Sequence, residues 1–173
     1  MTTPESLART FVERACIPRA ELPPDVFDAP DACLRPAWEA YFAELGMTPS
    51  EAFLALLDAS STHYLDFGGW GVLDPEGSRY HQSLFRQSPS PLPVDAVYGA
   101  MVPLFCCDGD LLLLDRDGSV FAYMHDGDSE AEPPVAPTFE ALLQTLLDVL
   151  DGRAAYPLDL HARALARRVA MAP

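Results

Sequence analysis

The sequence predicts an α+β fold, with an antiparallel or mixed central sheet built on a β-meander and helices packed against it. Three observations predict it. Apolar runs separated by aspartate–glycine turns are grouped in the middle of the chain, amphipathic helical patterns stand before and after them, and no alternation of strand and helix occurs.

The first helix begins at Thr3-Pro4-Glu5, which supplies a cap, a first-turn proline and an acid at the positive end of the dipole. Leu7, Phe11, Ala15 and Cys16 fall on one stripe of it. Residues 18–30 hold four prolines among acids and predict an extended connection. Pro36 opens a second helix whose Trp38, Tyr41, Phe42 and Leu45 recur at helical spacing up to Gly46. Thr48, Pro49 and Glu51 predict a capping box for a third, which carries Phe53, Leu54, Leu56 and Leu57 and pairs with the second as a hairpin. From His63 the apolar residues sit among glycines, which predicts short strands and a bulge, and residues 88–93 predict a loop.

The meander is the clearest segment. Tyr98 to Cys107, Leu111 to Leu114 and Ser119 to His125 are separated by Asp108-Gly109-Asp110 and Asp115-Arg116-Asp117-Gly118. Four consecutive leucines predict that both faces of the central strand are covered. Thr138 caps a helix with apolar residues at Phe139, Leu142, Leu143, Leu146, Leu147 and Leu150, closed by Gly152, and a weaker helix is predicted from Leu158 to about Val169.

Composition narrows the function classes. The 173 residues are 49% hydrophobic and 21% charged, and the mean hydropathy is +0.05, values that fit a soluble globule and neither a disordered chain nor a fibre. The net charge is −15 and the isoelectric point about 4.3. Nucleic-acid binding through phosphates is disfavoured, since it needs clustered cations; a basic partner is allowed. From Gly152 onward four arginines oppose one aspartate, so a basic tail follows an acidic body. No signal peptide and no run of 18 apolar residues is present, so no membrane partner is expected and the expected location is cytoplasmic.

Candidate chemistry is sparse. His63, His81, His125 and His161 share no metal-ligand spacing, and the four cysteines form no two-residue-spaced pair, so no metal and no cofactor are expected. Asp115-Arg116-Asp117-Gly118 opens like a calcium loop but lacks the closing glutamate, which leaves a hairpin turn. Neither Ser119 nor Cys106-Cys107 stands in a nucleophile's setting, and no catalytic residue is assigned. What stands out is acid: Asp108, Asp110, Asp115, Asp117, Asp126, Asp128, Glu130 and Glu132 against Arg116 alone. Hairpin tips and the following loop are expected to gather many of these at one sheet end, either as a solvated rim or as a docking surface for a basic protein. Glycine-flanked Trp70 and Tyr80 are candidate aromatic anchors if exposed.

The run Val102-Pro103-Leu104-Phe105, Asp108-Gly109-Asp110, Leu111 to Asp115, Gly118 to Tyr123 and Ala136-Pro137-Thr138-Phe139-Glu140-Ala141-Leu142-Leu143 resembles the C-terminal half of the SMI1/KNR4, or SUKH, superfamily. The N-terminal signature of that family is only faintly echoed, by Leu22-Pro23-Pro24 and Gly68-Gly69-Trp70. The resemblance implies one α+β domain over 1–173, with the helical 1–60 part and the basic 153–173 tail as candidate appendages. It implies a non-enzymatic bacterial immunity protein, a monomer or weak homodimer, that binds a basic toxin domain, a nuclease for example. A regulatory or scaffold module of the same fold is the alternative, and an enzyme or a metal-dependent binder using His125 stands third.

Overall fold

The computed structural model describes residues 3–22, 33–87, 98–125 and 133–155. Among them run five helices: α1 Pro4–Ala15, α2 Arg35–Leu45, α3 Glu51–Asp58, α4 Pro75–Gln87 and α5 Phe139–Leu150. A short ribbon pairs β1 (Ile17–Pro18) with β2 (His63–Tyr64). The main sheet joins β3 (Asp66–Phe67), β4 (Trp70–Val72), β5 (Val102–Cys107), β6 (Asp110–Leu114) and β7 (Val120–Tyr123) in sequence order, antiparallel throughout. The α+β class is therefore realised, with helices on both faces of the sheet.

Helix starts follow local chemistry. The Thr3 side chain accepts a hydrogen bond from the Ser6 amide, and Thr138 accepts one from the Ala141 amide. The cap of α3 is Ser50, which accepts from the Phe53 amide at 3.0 Å, and not the expected Thr48. Ser50 stands immediately before the first helical residue, so its oxygen reaches the third amide. α3 packs on α1 and also against its expected partner α2, where Phe53 meets Trp38 and Phe42 edge-on. Of residues 18–30, those up to Leu22 are described. There the chain pairs at Ile17–Pro18 and turns through Arg19–Glu21, held where Arg19 Nε donates to the Ser60 carbonyl at 2.7 Å. The expected loop at 88–93 and helix at 158–169 lie outside the described residues.

The four leucines of β6 divide between two cores, because successive side chains of a strand face opposite ways. Leu112 and Leu114 enter the larger core with Phe11, Trp38, Phe53 and Phe139. Leu111 and Leu113 meet Phe85 and Tyr98 on the other face. A register shift between Pro103 and Phe105 inserts Leu104 as an extra residue, so Leu104 and Phe105 both turn to the larger core. There Phe53 packs edge-on against Phe139 at 5.3 Å and against Trp38 at 5.3 Å, and Phe105 stacks on Phe139.

The second face is closed by α4, a helix that the hydrophobic pattern did not announce. Its buried residues include Ser78, Gln82 and Phe85, of which only Phe85 is a large apolar group. Gln82 holds it in place: the side-chain amide donates to the Gly99 and Met101 carbonyls, and its oxygen accepts from the Tyr41 hydroxyl. A buried amide so satisfied fixes orientation where apolar packing is thin. Among the described residues, no helix is long and apolar enough to cross a membrane.

Candidate functional site

The topology divides the acidic residues between two places. β6 runs from Asp110 to Leu114, with the Asp108–Gly109 turn before it and the Asp115–Ser119 turn after it. At about 3.3 Å per residue the two turns stand roughly 15 Å apart, at opposite ends of the strand. Among the described acids, the expectation of a single sheet end is met by Asp108 and Asp110 and not by Asp115 and Asp117. Asp108 and Asp110 share one end, Asp115 and Asp117 the other, and Asp126, Asp128, Glu130 and Glu132 lie outside the described residues.

Asp115 and Asp117 form a turn and nothing more is required of them. Asp115 Oδ1 accepts from the Asp117 and Ser119 amides, the geometry of a closed hairpin. At the other end Asp110 is bound to the strand that returns beside it. One of its oxygens accepts the His125 backbone N–H at 3.0 Å and lies 2.9 Å from His125 Nδ1. The imidazole is pressed against the turn, since a Cβ on Gly109 would lie 3.2 Å from His125 Cγ and Nδ1. Gly109 also holds φ at +92°, and Asp108 itself stands in the left-handed region at +48°. Turn, carboxylate and ring are thus one interlocked unit.

Beside this unit, between α4 and the β6–β7 pair, lies an open cleft of about 420 Å³. His81, Leu84, Phe85 and Gln87 line it from the helix. Gly109, Leu111, Tyr123 and His125 line it from the sheet. Its floor is aromatic: Phe85 meets Tyr123 edge-on at 4.9 Å, and Tyr98 packs against both. Burial lowers the basicity of His81, and burial together with Asp110 raises the Tyr123 phenol.

The two candidate anchors part company. Tyr80 is 61% exposed and shares a helical stripe with Leu84, which is 42% exposed. Trp70 is only 4% exposed, and its candidacy as an anchor is withdrawn. It pairs with Phe67 across the β3–β4 turn, and the pleat carries its side chain into the larger core. The cleft itself was missed at the level of sequence, because α4 was missed. The signal available was Asp74-Pro75-Glu76, a helix start whose Asp74 carboxylate accepts from the Gly77 amide.

Two of the thiols, Cys16 and Cys107, are muted. Burial, reinforced by Asp66, pushes the Cys16 thiol up to about 12. Burial first, and then Asp110 among other neighbours, raises Cys107. Cys106 and Cys107 are consecutive in β5 and their side chains pack against the two different cores. No three His, Cys, Asp or Glu side chains among the described residues are grouped to hold a metal ion. Comparison with family models, curated proteins and solved structures returns no match.

Proposed function

We propose that the chain is a non-enzymatic protein-binding domain which neutralises a basic partner, in the manner of an immunity protein against a cytoplasm-acting toxin domain. The observation that carries the proposal is a net charge of −15 with carboxylates at both ends of the sheet instead of in one pocket. Such a field attracts a positively charged macromolecule and raises its encounter rate. The raised Cys16 and Cys107 thiols support the same reading, as does the resemblance of residues 98–150 to SMI1/KNR4 proteins. The experiment is co-expression with the products of the genes that adjoin its own. Protection of cells from one such product, with formation of a 1:1 complex, is the expected result. If every adjoining product is harmless, or harms the cells equally with and without this chain, the immunity reading is wrong.

One observation favours a second reading. The Asp110–His125 pair, opening on a cleft with His81, has the form of an acid–base or metal-binding dyad. Titration with zinc followed by calorimetry decides it: stoichiometric binding lost in His125→Gln supports the dyad, and the absence of heat removes its metal form.

A further inference from the structure

We propose that the cleft between α4 and the β6–β7 pair is where this chain docks its partner, and that it receives an apolar side chain flanked by arginine or lysine. The inference rests on the protein-binding reading above and assigns that function to one surface. The apolar lining of Leu84, Phe85, Leu111 and the Tyr123 ring suits an aliphatic or aromatic group. Tyr80, one helical turn before Leu84, extends the same stripe into solvent. This is the composition of an interface centre, an aromatic and aliphatic patch ready to be desolvated.

Charge selects the partner. Asp108 and Asp110 flank the cleft-lining Gly109, with Asp108 exposed. Across the whole chain acids outnumber bases 26 to 11. Of the two arginines on α4, Arg79 is held by Glu44 at 2.6 Å and lies over the Tyr41 ring, away from the cleft, while Arg86 stands exposed between the cleft-lining Phe85 and Gln87 and restricts a partner cation to the turn side. A partner cation beside the inserted apolar group therefore meets the exposed Asp108 carboxylate at the turn, Asp110 being shared with His125. The other hairpin end carries Asp115 and Asp117 with Arg116 between them, and so presents a weaker field to a partner cation.

The test uses two synthetic peptides as probes, one of repeating Arg-Leu-Arg units and one of repeating Arg-Gly-Arg units, and the full chain labelled with ¹⁵N. The Leu-containing peptide is expected to bind at least about tenfold more tightly, since one buried leucine supplies that much. Amide shifts should centre on Leu84, Gly109, Leu111 and Tyr123. Tyr80→Ser combined with Leu84→Asp, both at exposed positions, should erase the difference between peptides. Asp115→Asn with Asp117→Asn should leave it intact. Equal affinity for the two peptides, or shifts centred elsewhere, overturns the surface while leaving a basic partner in place. Failure of both peptides to bind overturns the basic-partner reading itself. Self-association of the free chain that Leu84→Asp abolishes assigns the cleft to a second copy and overturns the proposal.

Discussion

Replacing Gly109 by alanine tests the interlocked turn, carboxylate and imidazole directly, and Gly118→Ala supplies its internal reference. The two glycines hold nearly the same backbone angle, φ +92° and +88°. They differ in surroundings: an added Cβ meets the His125 ring at 3.2 Å at Gly109 and nothing within 4 Å at Gly118. The positive angle alone costs an L-residue about 1–2 kcal/mol at either site. At Gly109 the ring must also move, which breaks its hydrogen bond to Asp110, worth about 1 kcal/mol at this exposure. Gly109→Ala should therefore lose about 2–3 kcal/mol and Gly118→Ala about 1–2 kcal/mol, as read from urea unfolding midpoints. In a His125→Ala background the excess at Gly109 should vanish. Equal losses for the two alanines, or an excess that survives without the imidazole, refutes the interlock.

Three further outcomes follow from the fold. Leu112→Ala and Leu113→Ala should each cost about 2–5 kcal/mol, because each side chain is buried in a different core; a loss under about 1 kcal/mol at Leu113 would mean that α4 does not cover that face. Ser50→Ala should cost about 1 kcal/mol and Thr48→Ala almost nothing in the same assay, since the Ser50 oxygen makes the cap bond. The last outcome concerns acid. The hydrogen bond from Arg153 holds Asp148 below its ordinary value of 3.8, and that from Arg14 does the same for Asp151. A carboxyl with a depressed folded-state pKa stabilises fully above its unfolded value and loses that contribution as the pH falls through the folded one. The double variant Arg14→Gln/Arg153→Gln should melt below the parent at neutral pH, and the gap should close as the pH drops below 3.8. A gap unchanged in acid contradicts the pairing.

The meander was legible because its turns are written in residues with a single conformational meaning. Gly109 and Gly118 adopt positive φ, as their aspartate–glycine settings predict, and four leucines in a row require two cores. α5 was legible from its apolar spacing. α4 was not, because its buried face is polar and is made tolerable by the Gly99 and Met101 carbonyls, which reach Gln82 only through tertiary structure. The split of the acidic residues could have been read from sequence: successive turns of an antiparallel meander must fall at alternate ends. Charge density along the chain is not charge density in space. Trp70 takes the more common place of a tryptophan, in the core, because the glycines before it set a tight hairpin that turns the indole inward.

The central claim is that this chain captures a positively charged protein through its overall field and holds it without transforming it. The most direct measurement is the association rate of the chain with a basic partner encoded beside it, followed from about 20 to about 200 mM salt, over which the screening length falls from about 20 Å to about 7 Å. The rate should drop at least about tenfold while dissociation changes little. A salt-independent association rate would contradict the claim.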